Sequence, residues 1–284
     1  MRRFHLIELH EQPWFPSFLR DEITGALQFG LSRANAYAPI AAMLERAVDS
    51  SRSQAIVDLC SGAGGPWLNL AQKLRSQQPT DVPAIPIRLT DKYPNLGAFA
   101  ALSAASKNHI GSYAQPVDAK CVPRELAGFR TMFTSFHHFA PDDARAILQD
   151  AVDARQSIGI FEITRRAPSA VAFILLWSIF LFLCTPWIRP FRWSRLFCTY
   201  VIPIIPVVIL FDGVVSCLRT YRPGELQEIT EKLRTADYTW QSGEFYGTRK
   251  RMPITYLIGL PTEAAQAKVS VLPVVAVAPV VAAA

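Results

Sequence analysis

The sequence is poor in the residues that staple or clasp small domains. Its 284 residues hold five cysteines, an odd number, with no Cys-x-x-Cys pair. That argues against a disulfide framework and a zinc site, and it points to a reducing compartment. Charged residues are scarce at 18%, against 50% hydrophobic ones. No internal repeat is visible. The start Met1-Arg2-Arg3 is basic, but Glu8, His10 and Glu11 interrupt what would be the apolar core of a signal peptide, so none is expected. The length suits one large α/β domain with a decorated core. A net charge of +6 allows an anionic membrane or a nucleic acid as partner.

Glycine is sparse too, yet Gly62, Gly64 and Gly65 fall together. They follow Ile56 to Leu59, a short apolar run that reads as a buried strand. Pro66 then opens a segment with Trp67, Leu68, Leu70, Ala71 and Leu74 at helical spacing. The pattern is strand, glycine turn, helix. Such a turn lets the backbone approach a ligand, and the helix N-terminus offers free N–H groups to an anion. A dinucleotide fingerprint would need a small residue where Trp67 stands, which disfavours a nicotinamide-dependent oxidoreductase. No Gly-Lys-Ser/Thr follows, so the phosphate-binding loop of nucleotide hydrolases is absent as well.

The stretch Ile56 to Gly64 instead resembles the first motif of class I S-adenosylmethionine-dependent methyltransferases: hydrophobic, Asp, hydrophobic, then alternating glycines. Gly62 and Gly64 match the second and third glycines, and Cys60 stands where the first is usual. The resemblance covers roughly residues 55–165 and 217–261. It implies an α/β, Rossmann-like, seven-stranded and mostly parallel sheet with helices on both faces, closed by an antiparallel hairpin. It also implies S-adenosyl-L-methionine as cofactor.

Strand followed by acid recurs along the chain. Ile85–Leu89 reads as the second strand and ends at Asp91, which matches the family position that accepts from both ribose hydroxyls. Ser112–Val117 reads as the third, followed by Asp118, which matches the position facing the adenine amino group. Ligands of open parallel sheets lie beyond the carboxyl ends of the strands, so Asp58, Asp91 and Asp118 should converge. The cofactor contacts implied by the resemblance are Asp58, Cys60, Ser61, Gly62, Gly64, Asp91, Lys92, Asp118, Ala119 and Phe136.

Arg130–Phe136 reads as the fourth strand and runs into His137-His138. Ser157–Thr164 reads as the fifth and carries Glu162. Many family members have a His-His pair bordering cofactor and substrate at this place. His137 or His138 is the candidate general base, since histidine titrates near neutrality, or else floors the pocket; Glu162 is the runner-up. Paired histidines also suggest metal, but no third ligand is spaced to join them, so no metal site is assigned.

The remaining segments divide as follows. Residues 1–54 form an aromatic arm and a helical cap, with Leu19, Ile23, Leu27 and Leu31 on one face and a second helix from Pro39. Tyr37 either reaches the pocket or packs in the core. Asn95 can cap a helix running to Lys107. Residues 55–261 form the domain, interrupted by an apolar insert at 169–215. Thr262 onwards reads as a low-complexity tail. Thr220 can cap a helix with Leu226, Ile229 and Leu233 on one face, and Tyr238–Tyr246 and Ile254–Leu260 read as the closing hairpin.

In the insert, Ala170 to Ile188 holds no charge and could span a membrane. A spanning hairpin would put Arg189, Arg192 and Arg195 outside, against the positive-inside tendency. With Arg165, Arg166, Arg219 and Arg222 at its ends, a segment in the membrane interface fits better, and an apolar lid or dimer surface is the third option. The expected protein is a methyltransferase at the cytoplasmic face of the membrane, acting on a small-molecule or lipid-like acceptor. Nucleic acid is not the expected partner, because the basic residues border an apolar surface. The competing class is a membrane-associated S-adenosylmethionine-binding protein without turnover. Oligomeric state is left open.

Overall fold

A computed structural model describes residues 2–77, 84–233, 237–247 and 253–262. Its strands are β1 (Ile56–Asp58), β2 (Ile87–Leu89), β3 (Ile110–Ser112), β4 (Phe129–Phe133), β5 (Ile158–Glu162), β6 (Tyr238–Tyr246) and β7 (Pro253–Pro261). They form one sheet in the order β3-β2-β1-β4-β5-β7-β6. The first five strands are parallel. β7 runs antiparallel to both β5 and β6. This is an α/β, Rossmann-like sheet closed by the expected hairpin.

β1, β4 and β5 are buried along their whole length, as central parallel strands covered on both faces must be. One face carries α2 (Ala41–Ser51), α3 (Trp67–Gln77) and α4 (Leu96–Ala105), whose Leu44, Trp67 and Phe99 pack on Ile56, Phe133 and Phe161. The other face carries α5 (Pro141–Asp153) and α9 (Pro223–Glu231), whose Ile147, Leu148, Leu226 and Ile229 pack on Val57, Met132 and Ile160. The expected Leu226, Ile229 and Leu233 stripe is therefore that helix's core face. Each fully buried aliphatic side chain contributes about 1.5–3 kcal/mol. Tyr37 belongs to the core: its hydroxyl donates to the Phe161 carbonyl at 3.1 Å and pairs with Thr134 Oγ1.

Strand ends differ from the expected ones for local reasons. β2 starts at Ile87 rather than Ile85, since Pro86 has no N–H for the ladder. β3 is Ile110–Ser112, not Ser112–Val117. It is an edge strand that pairs only with the three residues of β2. β4 stops at Phe133 because Thr134 takes a left-handed φ of 45°. Asn95 does cap α4, accepting from the Ala98 N–H at 3.0 Å. Thr220 does not cap α9; it ends the preceding helix and donates to the Ser216 carbonyl. The Arg222 N–H is taken instead by Glu225 Oε2.

The N-terminal residues 2–16 run as an extended arm into α1 (Ser17–Ala34). The insert contains α6 (Pro168–Cys184), α7 (Trp193–Leu196) and α8 (Ile204–Arg219). α6 with its following turn, Pro168–Trp187, has a mean hydropathy of 2.1 and is long and apolar enough to cross a membrane. Trp193–Val201 and Ile204–Arg219 are bent by 76° at their join. Phe15, Leu19 and Ile23 pack with Leu181, Ile205 and Val208 in a third apolar cluster. Much of the insert still faces outward: Leu176, Leu183, Trp187, Trp193, Val201 and Val207 are exposed.

The arginines around the insert are not all available to a membrane. Arg195 is buried and donates to Glu22 Oε2 at 2.6 Å. Arg219 is buried on Glu11, and Arg166 is buried on Glu225. Arg195 and Arg219 tie the insert to the N-terminal helix and arm, and Arg166 ties its border to α9. The expected hairpin turn at 248–252 and the tail beyond Thr262 lie outside the described residues.

Candidate functional site

The sheet order reverses between β1 and β4, and a ligand crevice of an open α/β sheet opens at such a point, beyond the carboxyl ends of the strands. The glycine turn after β1 stands there. Cys60, Gly62, Gly64 and Gly65 all have positive φ. At Gly64, with φ +96°, an added Cβ would also collide with Leu102 Cδ1, so both conformation and space demand glycine. Cys60 adopts φ +56° without that freedom.

Asp58 does not face the crevice. Its Oδ1 accepts from Thr131 Oγ1 and its Oδ2 from Ser61 Oγ, each at 2.7 Å, and both Asp58 and Ser61 are buried. Burial pushes the Asp58 carboxyl up to about 7, against the pull of these hydroxyl donors. Asp58 and Ser61 are therefore braces for the turn rather than exposed contacts. Asp91 does stand at the crevice. Its Oδ2 accepts the Gly62 N–H at 2.7 Å and its Oδ1 the Tyr93 N–H at 2.8 Å. Burial raises it above the ordinary carboxylate range.

Asp118 is drawn in through its neighbour: the Val117 N–H donates to the Asp91 carbonyl at 2.9 Å. Asp118 Oδ2 lies 3.4 Å from Lys92 Nζ, and its Oδ1 accepts the Lys120 N–H at 3.0 Å. Its desolvation is outweighed by the Lys120 N–H and the two lysines, which hold the carboxyl low. Asp91 and Asp118 thus flank one edge of the crevice. Ala119 and Phe136 are buried in the apolar cluster beneath, and the Phe136 ring lies 5.6 Å from that of Tyr221. Among the predicted acids, Asp91 and Asp118 are linked through the Val117 N–H, and Asp58 is turned inward.

The turn after β4 is a short 3-10 helix, Phe136–His138. Glu162, at the end of β5, builds it. Glu162 Oε1 accepts the backbone N–H groups of Ser135, Phe136 and His137 at 3.1, 2.7 and 3.2 Å. Its Oε2 pairs with His137 Nδ1 at 2.8 Å. Burial alone would raise this carboxyl, but His137 and the backbone donors hold it below the usual range. With both oxygens engaged and the side chain buried, Glu162 is an anchor and not a free base. His137 is 1% exposed and floors the turn. His138 is the partly exposed one of the pair. Its Nδ1 lies 2.5 Å from Glu11 Oε1 and 3.2 Å from Glu8 Oε2. Burial opposes a charge on this ring, yet the two glutamates raise its pKa well above the ordinary histidine value.

Glu8 and Glu11 are the residues that sequence reasoning missed. They come from the arm, which crosses the carboxyl ends of β4 and β5 and is tied down along its length. The Leu9 and His10 N–H groups donate to Asp212, and Arg3 donates to the carbonyls of Phe139 and Arg219. The available signal was ionisable residues inside an aromatic segment, which had weight only against a signal peptide.

One cavity borders the site and another lies far from it. One of about 210 Å³ lies between α1, α6 and the carboxyl end of β5, walled by Leu31, Ile163, Phe173, Trp177 and Cys217. Another, of about 380 Å³, lies at the opposite, amino-terminal ends of β1 and β2, among Val48, Leu74 and Ile87, away from every predicted site residue.

No family model matches the chain, and no curated protein matches it. Solved structures do. PigF, solved with SAH, is 15% identical over 89% of this chain and 61% of its own, with a TM-score of 0.46. The methyltransferase domain of bacterial CtHen1 is 11% identical over 79% of this chain and 98% of its own, with a TM-score of 0.46. An O-methyltransferase family protein from Burkholderia thailandensis is 12% identical over 82% and 58%, with a TM-score of 0.45. The chain spans 55% to 59% of the length of three further matched chains. These likenesses concern fold alone. On its own strand order and closing hairpin, the chain has the fold of class I S-adenosylmethionine-dependent methyltransferases.

Proposed function

We propose that this protein is an S-adenosylmethionine-dependent methyltransferase for a small, apolar, membrane-delivered acceptor. The observation that carries the reading is Asp91. Its carboxylate holds the N–H of Gly62 at the strand-order reversal and stands at the open side of the glycine turn. A carboxylate offers about four acceptor positions. Two are used by Gly62 and Tyr93, which leaves acceptors for a pair of ribose hydroxyls.

Asp118 is proposed for the adenine amino group, with Lys92 beside it and Ala119 and Phe136 as the apolar wall. Cys60, Gly62 and Gly64 supply the close backbone approach, and Asp58 and Ser61 keep the turn in shape. When bound, S-adenosylmethionine supplies an activated methyl group. The chain's part is to align an acceptor behind it and exclude water, and positioning of this kind contributes up to about 7–11 kcal/mol of a barrier. The His-His pair is assigned to the floor and border of the site. Both histidines are engaged by carboxylates, so proton removal is not assigned to either.

The acceptor class rests on the apolar cavity at the end of β5 and on the insert beside it. We read the insert as lying in the cytoplasmic membrane interface. Its outward Leu176, Leu183, Trp193 and Val207 form an apolar surface of the kind that marks an interaction site, and tryptophan favours the interface.

The test is calorimetric titration of the full chain with S-adenosylhomocysteine, with NADH as control. Binding of the first alone is expected. Asp91→Ala should weaken it roughly tenfold or more while the chain stays folded. Unchanged affinity in that variant overturns the cofactor assignment. For the insert, flotation with phosphatidylglycerol vesicles is expected for the native chain and lost in a Leu176→Glu, Val207→Glu double variant. Equal flotation of both would refute the interfacial reading.

A further inference from the structure

The cofactor reading leaves one group of side chains unused. Glu8, His10 and Glu11 of the arm meet His137 and His138 of the β4 turn, with Asp212 of α8 and Glu162 of β5 behind them. Two of the histidines are already aimed. Asp212 Oδ2 holds His10 Nδ1 at 2.7 Å, and Glu162 Oε2 holds His137 Nδ1 at 2.8 Å. The His10 and His138 rings meet edge to face, 5.8 Å apart. A carboxylate behind an imidazole is the usual second partner of a metal-binding histidine.

The centre of the cluster is under-satisfied. Glu8 is 0% exposed, yet its Oε2 makes no hydrogen bond. His138 Nδ1 is also buried and makes none, although it lies 3.2 Å from that oxygen and 2.5 Å from Glu11 Oε1. These atoms are close but out of line for a shared hydrogen. A buried carboxylate oxygen without a partner is unfavourable. Glu8, Glu11, Asp212 and Glu162 bring four carboxylates to this one cluster, and Arg219 reaches two of them, at 3.6 Å from Glu8 and 2.8 Å from Glu11, with the histidine rings between them. One ligand atom each from Glu8, His10 and His138 lie within 4.8 Å of one another.

We propose that Glu8, His10 and His138 bind a divalent first-row transition metal ion that clips the N-terminal arm to the turn after β4. Two imidazoles and a carboxylate suit zinc, manganese or ferrous iron and disfavour calcium and magnesium. Ligand atoms about 2.1 Å from one ion lie no more than about 4.2 Å apart, so the three side chains close by roughly half an ångström on binding. Glu11, beside His138, is placed to complete the set. The third ligand that the His-His pair lacks in its own neighbourhood is supplied from a segment about 130 residues away. The inference stands independently of the cofactor: the site is built from the arm, α8 and the β4 turn.

The test uses the full chain, stripped with a chelator, desalted and titrated calorimetrically with zinc chloride and, separately, manganese chloride. One ion per chain with micromolar or tighter affinity is expected for at least one of the two. His10→Ala and Glu8→Gln should each weaken it at least tenfold, and Asp212→Asn roughly tenfold through the orientation of His10. His109→Ala, outside the cluster, should leave it unchanged. His10 is partly exposed, so its variant keeps the test valid if Glu8→Gln fails to fold. Crystals soaked in the bound metal should show an anomalous peak between the three residues. A folded chain that takes up neither ion, or one whose affinity is the same in His10→Ala, overturns the proposal.

Discussion

The turn after β1 is held by hydroxyl and backbone groups of neighbouring strands, and the turn after β4 by charges, some of them from the far N-terminal arm. In the first, Asp58, Ser61, Gly62 and Asp91 close a small circuit of hydroxyl and backbone hydrogen bonds within about thirty residues. In the second, Glu162 gathers three backbone N–H groups, and the arm adds Glu8 and Glu11 from the far end of the sequence. The two turns sit at adjacent strand ends and solve the same problem, which is to satisfy the polar atoms of a chain leaving a buried strand. The first does so with conformation. The second does so with ion pairs whose desolvation must be offset by good geometry. The second arrangement is the more fragile to the loss of one member.

The largest expected effect follows from that fragility. Glu162→Ala leaves the Ser135, Phe136 and His137 N–H groups and the His137 ring without their acceptor. Breaking a buried set of this kind costs about 3–5 kcal/mol. The denaturant midpoint should fall accordingly at constant slope, with Glu162→Gln recovering part of the loss. A loss under about 1 kcal/mol would mean that the two turns are held equally well without it.

Asp58 sharpens the comparison from the other side, through pH. Its folded pKa of about 7 lies above the unfolded value near 3.8. The native state therefore binds the extra proton between these values, so this contribution is full below about pH 4 and is lost as pH rises through 7. The amplitude is on the order of 4 kcal/mol. Thermal midpoints measured from pH 5 to 8 should fall for the native chain, and Asp58→Asn should flatten that slope. Glu8 and Glu11, held low by His138, titrate beneath this window. An unchanged slope in the variant would assign the pH dependence elsewhere.

The smallest effect concerns Cys60. Its left-handed φ costs a side chain roughly 1–2 kcal/mol, and glycine would remove that at an entropic cost of about 0.4–1 kcal/mol. Cys60→Gly should raise stability by less than about 1 kcal/mol, read by denaturation. A clear loss would show that the Cys60 side chain contributes packing beyond the turn.

Legibility in the sequence followed the same division. The strand, glycine turn and helix at 56–77 are a local pattern and stand in the structure where expected; the recurrence of an acid at a strand end holds for Asp58 and Asp91, while Asp118 lies in the loop well past β3. The third strand was misplaced because its length is set by β2, its partner, and not by its own β-branched residues. The inward turn of Asp58 was illegible, since it depends on Thr131, which is 73 residues distant. Glu8, Glu11 and Asp212 carry no motif at all. The arginines bordering the insert looked like a lipid-facing set. Arg195 and Arg219 proved buried because Glu22 and Glu11, remote in sequence, reach them.

The arm also has a history in time. Residues 3–15 are made well before the α8 residues that hold them. Leu9 and His10 wait for Asp212, and Glu8 waits for Ser216, about 200 residues later in synthesis. Until then the turn after β4 lacks its outer half, and the arm is an unattached aromatic segment. The arm, made long before α8, is thus the last part of the candidate site to be assembled, so a change within it acts on a late step of folding.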